Sequence, residues 1–201
     1  MSAGNMNASF EAALEKLDAY EGGYSDDLLD AGRETYRGIS RRYHPNWEGW
    51  RVIDDAKFDA ANFPENLSSI SWLEKLVCKF YYDNFWCKFL GTEISYSYSK
   101  VAAELLDQSV NLGVNNAIVN LQESLNVLNR NESLFEDLVV DGIMGDFTIC
   151  ALHRLPIGDI GNLLKCMNIY QGLHYLKLIK KSSKYERFAR GWLKRVVIKK
   201  T

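Results

Sequence analysis

From Asn7 to Glu21 the apolar positions Phe10, Ala13, Leu14 and Leu17 recur at i, i+3, i+4 and i+7, the spacing of one helix face. Asn7 or Ser9 can cap the start, and Gly22 suits a helix end. At about 100° per residue, Glu21 falls about 20° from the centre of that apolar stripe. The pattern therefore predicts a carboxylate on the core side of the last turn, where the helix dipole also disfavours negative charge. Residues 22–50 are loop-rich, and "TYRGIS" within them predicts a short strand or hairpin.

Helical periodicity returns over residues 50–60 and, after Pro64, over 68–89. In the second stretch Trp72, Leu76 and Phe80 line one face, and Tyr81, Tyr82, Phe85 and Trp86 make it unusually aromatic. Further helices are expected over 99–112, ending at Gly113, and over 115–128. "VDGIMGDFTICAL" predicts a tight turn, with φ > 0 at a glycine, leading into another helix whose start Thr148 bonds through nearby backbone. Helices over 163–180 and 184–197 complete the chain, with no repeat and no low-complexity segment. The fold class is all-α, mainly helical, with at most a small β-hairpin.

With 201 residues, 47% of them hydrophobic, the chain can bury one good core or two small lobes. A net charge of -2 argues against a nucleic-acid binder, which needs a clustered basic face. The one basic run, Lys180 to Lys200, is interleaved with Phe188, Trp192, Leu193 and Val196. It reads as a terminal amphipathic helix with a solvated basic face, or as a surface attracting an anionic polymer. Cys78, Cys87, Cys150 and Cys166 lack CxxC spacing, so no zinc pattern forms and they are expected to be reduced, buried fillers. The first twenty residues lack a secretory pattern and no segment is long enough to span a bilayer, so synthesis in the cytoplasm without membrane insertion is expected.

Glu21 and Asp30 are the pair that carries chemistry. Cleaving a glycosidic bond takes one carboxyl kept protonated and a second kept ionised, and desolvating one while solvating the other splits them. Glu21, on a core-facing stripe, fits the first role; Asp30, in a polar glycine-bearing loop, fits the second. The structural alternative is a buried Glu21 paired with Arg33, Arg41 or Arg42, holding the loop. Glu34 is either a second cleft carboxylate or a partner for Arg37 or Arg41. Tyr82, Trp86 and Trp47 either stack on sugar faces or belong to the core. His44, beside Pro45, is expected in an exposed loop.

"EGGYSDDLLDAGRETYRGIS" resembles the signature of the glycoside hydrolase family 108 lysozymes. Glu21, Gly22, Gly23 and Tyr24 match its first part; Asp30, Gly32, Glu34, Thr35, Gly38 and Ile39 match its second. Arg33 stands where the family has a second loop glycine, and the usual prolines near Asp30 are absent. The layout Glu21-x8-Asp30-x4-Thr35 also resembles that of phage-type lysozymes, with one residue fewer before the threonine. Farther along, Asp107, Asn111 and Gly113, then Leu121, Gln122, Asp141, Gly142, Gly145 and Thr148, then Phe188, Gly191, Trp192 and Arg195 are similar to a predicted peptidoglycan-binding domain.

The resemblance implies a lysozyme-like, two-lobed helical fold, with a catalytic lobe over 1–98 packed against a peptidoglycan-binding-like lobe over 99–201. It implies cleavage of peptidoglycan between N-acetylmuramic acid and N-acetylglucosamine, with Glu21 as acid and Asp30 and Thr35 assisting. Tyr24, Glu34, Tyr82, Trp86, Asp107 and Asn111 are candidate substrate-binding residues. Asp107 and Asn111, one helical turn apart, either bind sugar hydroxyls or bridge the lobes. No metal or organic cofactor is required for such proton transfer. Peptidoglycan strands are the expected partner, nucleic acid is not, and a monomer is expected. Action at the wall or periplasm would follow release through a holin-like phage pore, or export by a secretion apparatus, as the secretion-activator label of some family members suggests. The rival reading is a non-catalytic wall-binding or secretion-accessory protein, with Arg33 lying in the cleft; a chitosanase-like specificity is a third.

Overall fold

The computed structural model describes residues 8–18, 23–26, 34–58 and 62–197. Its elements are α1 (Ala8–Asp18), β1 (Tyr24–Asp26), β2 (Glu34–Tyr36), β3 (Ile39–Ser40), α2 (Gly49–Phe58), α3 (Ser71–Asn84), α4 (Gly91–Leu112), α5 (Val114–Val127), α6 (Asp146–Arg154), α7 (Ile160–Lys181) and α8 (Ala189–Arg195). The protein is mainly helical, as the periodicity predicts, with one small antiparallel sheet. Two compact units divide it, Met1–Trp86 and Cys87–Thr201.

In the first unit the α1 stripe goes into the core as its spacing requires: Phe10 is fully buried, and Ala13, Leu14 and Leu17 nearly so. Phe10 meets Tyr82 and Trp86 edge-on at centroid distances of 5.1 and 5.3 Å. Ile53 of α2 and Leu73 and Val77 of α3 complete that core. The expected hairpin is present as β2–β3, and β1 pairs with β2 to make a three-stranded sheet in the order β1-β2-β3.

The β2–β3 turn shows why Gly38 is there. Arg37 and Gly38 both have positive φ, 44° and 77°, the type I′ geometry that matches strand twist and that glycine adopts without strain. Arg37 is held in it from three sides. Its N–H donates to the Gly23 carbonyl at 3.2 Å, its carbonyl accepts from the Tyr81 hydroxyl at 2.7 Å, and its guanidinium pairs with Glu74.

The second unit packs α4, α5 and α7 around Val101, Leu105, Leu121, Leu125, Leu163 and Met167. Its 141–148 turn is organised by one buried side chain, Gln122 of α5. The Gln122 amide nitrogen donates to Asp141 Oδ1 at 2.9 Å, the Ile143 carbonyl at 3.2 Å and Thr148 Oγ1 at 3.1 Å, while its oxygen accepts from the Gly142 N–H at 2.9 Å. Thr148 thus bonds a side chain on another helix, not the local backbone that its sequence suggests. Gly142 has φ +71°, and a Cβ there would meet Asn115 Nδ2 at 2.2 Å, so both conformation and space call for glycine.

Two expectations fail here. The segment 184–197 is not one helix: a 3-10 turn over Ser183–Phe188 precedes the short α8. In a 3-10 turn residues i and i+3 align, so Tyr185 and Phe188 share a face and both reach Trp192, at 6.0 and 5.7 Å. That aromatic contact, continued by Tyr175 stacked on Trp192 at 5.1 Å, outweighs the helical periodicity. The cysteines are free, as expected, but none is buried; Cys87 and Cys150 are exposed, because each lies outside the buried stripe of its segment.

Candidate active site

Strand register sorts the site residues onto two faces. Directly paired residues share a face, and Tyr24 pairs with Tyr36, Ser25 with Thr35 and Thr35 with Ser40. One face carries Tyr24, Asp26, Glu34 and Tyr36, while the other carries a row of hydroxyls, Ser25, Thr35 and Ser40. Glu34 and Thr35 are neighbours in sequence, so they point to opposite sides. Glu21 and Asp30, together with Gly22, Gly32 and Arg33, lie outside the described residues.

Glu34 is tied down on its side. Oε1 accepts from Lys57 at 2.8 Å and from the Tyr24 hydroxyl, its diagonal neighbour, at 3.2 Å; Oε2 accepts from Arg41 at 2.6 Å. Arg41 also pairs with Asp54, and the Lys57 ammonium lies 5.4 Å from the Tyr24 ring and 5.9 Å from the Phe63 ring. Of the two arginines proposed for Glu34, Arg41 is the partner; Arg37 goes to Glu74. Both Glu34 and Tyr24 are therefore engaged in buttressing the sheet. Burial works to raise the Glu34 carboxyl, but hydrogen bonds from Lys57 and Arg41 outweigh it and hold it below its ordinary value of 4.5.

A lowered folded value contributes stability that is present above pH 4.5 and lost as pH falls through the folded value. Glu34→Gln is expected to lower the thermal midpoint at pH 7 by about 2–4 °C, an effect on the order of 1 kcal/mol. The difference from wild type should shrink as pH falls from 4.5 through the folded value, and calorimetry across that range checks it. Lys57, Asp54 and Glu74 were not evident as site residues from the sequence, where only the i, i+3 spacing of Asp54 and Lys57 hints that they act together.

The aromatic candidates are mostly core. Trp86 is 0% exposed against Phe10, so its faces are closed to a sugar. Trp47 packs edge-on against Trp50 at 5.1 Å and near Phe80, with its indole N–H on the Leu76 carbonyl at 3.4 Å. Tyr82 is half-buried, with one edge on Phe10. His44 is half-buried rather than exposed, because its ring meets Phe80 at 4.7 Å, and burial lowers its pKa.

Asp107 and Asn111 belong to an internal polar network of the second unit. Asp107 Oδ1 accepts from Arg195 at 3.0 Å and Oδ2 from Gln171 at 3.1 Å, while Asn111 donates to the Asp107 carbonyl at 2.7 Å. These groups clamp α4 to α7 and to the end of α8 within the second unit. One turn earlier Glu104 accepts from Gln108 at 2.8 Å. Burial first, and then the Asp107 charge, push its carboxyl up to about 7.

Because the Glu104 value is raised, its contribution to stability is fully present below pH 4.5 and is lost as pH rises through about 7. Glu104→Gln should remove that loss and stabilise the protein at pH 8 by about 3 kcal/mol. Urea unfolding at pH 5 and pH 8 would show the variant's advantage only at the higher pH.

Comparison with known proteins fits this arrangement. A family model described as glycosyl hydrolase 108 matches residues 14–113, and one described as a predicted peptidoglycan domain matches residues 116–197. Among solved structures, that of Brucella abortus SagA is similar at a TM-score of 0.55 and 21% identity, covering 94% of this chain and 89% of that one, a likeness of fold. No curated protein matches significantly. Over residues 14–113 the chain belongs to the glycosyl hydrolase 108 family, followed by a predicted peptidoglycan domain, and in general terms it is a peptidoglycan hydrolase.

Proposed function

We propose that the protein is a lysozyme that cuts peptidoglycan between N-acetylmuramic acid and N-acetylglucosamine. The observation that carries this reading is the Glu21-x8-Asp30-x4-Thr35 layout within the family segment, with Thr35 on the sheet face opposite the Glu34 buttress. Glu21 donates its proton to the leaving glycosidic oxygen. Asp30, ionised, places the attacking water or steadies the oxocarbenium-like charge, and Thr35 orients it by hydrogen bonding. The Lys57–Glu34–Arg41 buttress keeps β2 fixed, so that Thr35 is held without an entropic cost at each turnover.

The predicted peptidoglycan domain supports the choice of polymer, and the second unit would hold the strand while the first cuts it. Action then lies at the bacterial wall, reached through a phage-type pore or a secretion apparatus. The test is digestion of purified peptidoglycan by wild type and Glu21→Gln, with mass analysis of the new reducing ends. Muramic-acid reducing ends from wild type alone support the reading. Glucosamine ends would move the cleaved bond, and sedimentation with the polymer without any release would favour a non-catalytic accessory protein.

A further inference from the structure

Helix α7 is apolar on two sides. One side, centred on Leu163, Met167 and Tyr175, is buried against α4, α5 and α8. On the opposite side Ile169, Leu173 and Leu176 recur at i, i+4 and i+7, within about 60° of one another on the helix surface. They are 53%, 43% and 46% exposed, so this is a solvent-facing stripe rather than a second core. The 22 residues of α7 include four lysines and no acidic residue. Lys165, Lys177 and Lys180 fall on the same side as the stripe or at its margins.

The terminal segment adds to this. Trp192 stacks on Tyr175, and a Cβ placed on Gly172 would meet Val196 Cγ1 at 3.4 Å, so the turn 183–188 and α8 run along one edge of the stripe. That segment brings Lys184, Arg187, Arg190 and Lys194 against one acid, Glu186, and leaves Phe188 and Leu193 exposed. The chain as a whole carries a net charge of -2, so this concentration of positive charge beside an apolar stripe is local.

We propose that the solvent face of α7 is a peripheral docking surface for an anionic lipid bilayer. Ile169, Leu173 and Leu176 would sit at the boundary between headgroups and acyl chains, and the flanking lysines would meet lipid phosphates. The side-chain chemistry selects this occupant. Branched aliphatic side chains have no flat face to stack on a sugar ring, so a glycan strand leaves them unused. A second copy would bring one lysine-flanked face against another, and like charges oppose that contact. No described helix is long and apolar enough to cross a membrane, so the docking is superficial.

The test uses the full chain and sedimentation with two vesicle types, phosphatidylethanolamine–phosphatidylglycerol and pure phosphatidylcholine. Wild type should bind the anionic vesicles at least about tenfold more tightly than the neutral ones, with the preference fading at high salt. Leu173→Ser with Leu176→Ser should lose binding to both. Lys177→Glu with Lys180→Glu should lose about tenfold or more on anionic vesicles alone. The second variant changes only exposed charges, so it decides the matter even where the first fails to fold. The proposal is overturned by wild type that ignores anionic vesicles, or by variants that bind them as wild type does. It is also overturned if these substitutions weaken binding to purified peptidoglycan instead, or if light scattering shows a dimer that they dissociate.

Discussion

Glu21→Gln is expected to slow the release of soluble fragments from purified peptidoglycan by on the order of a hundredfold or more. The amide keeps the size and much of the hydrogen bonding of the acid but has no proton to give to the leaving oxygen. Thermal unfolding should therefore be unchanged while turnover falls, and that split separates a catalytic acid from a structural carboxylate. The pH profile supplies a second readout. A wild-type enzyme that needs one carboxyl protonated and another ionised should show a bell-shaped profile, and Glu21→Gln should abolish the alkaline limb along with the rate. If activity survives at wild-type level, or if both activity and folding collapse together, Glu21 is not the proton donor.

The second large effect concerns the other unit. Gln122→Ala is expected to destabilise the protein by about 3 kcal/mol or more, lowering the midpoint of its melting transition by roughly 10 °C. Gln122 is 2% exposed and serves four partners at once: the Gly142 N–H, Asp141, the Ile143 carbonyl and Thr148. Truncation leaves a buried amide and a buried hydroxyl without partners, each at about 1–3 kcal/mol, and adds a cavity. Gln122→Leu fills the volume and should still lose most of that stability, because the polar groups remain unpaired. If the leucine variant melts like wild type, packing rather than hydrogen bonding holds the 141–148 turn.

Much of the fold is legible in the sequence because helical periodicity is a local property. Four apolar positions in α1 predict a buried stripe, and all four are buried. The glycines at 38 and 142 mark turns, and both have positive φ. The candidate acid, its companion Asp30 and Thr35 are likewise legible, as a motif with fixed spacing and a family resemblance. Such features depend on bonded neighbours, and those the chain carries wherever it goes.

What the tertiary structure decided is which distant groups meet and which are desolvated. Sequence offers Arg37 and Arg41 equally to Glu34; the hairpin's turn sends Arg37 to Glu74 and leaves Glu34 to Arg41 and to Lys57, 23 residues away. Asp107 is claimed by Arg195, 88 residues later in the sequence. Trp86 looks available on an aromatic stripe until Phe10 covers it. The periodic segment 184–197 breaks because Trp192 draws Tyr185 and Phe188 onto one face. Periodicity therefore predicts that an element has an apolar side, but only packing determines whether that side is covered. Both sides of α7 are apolar, and the fold buries one and leaves Ile169, Leu173 and Leu176 facing water.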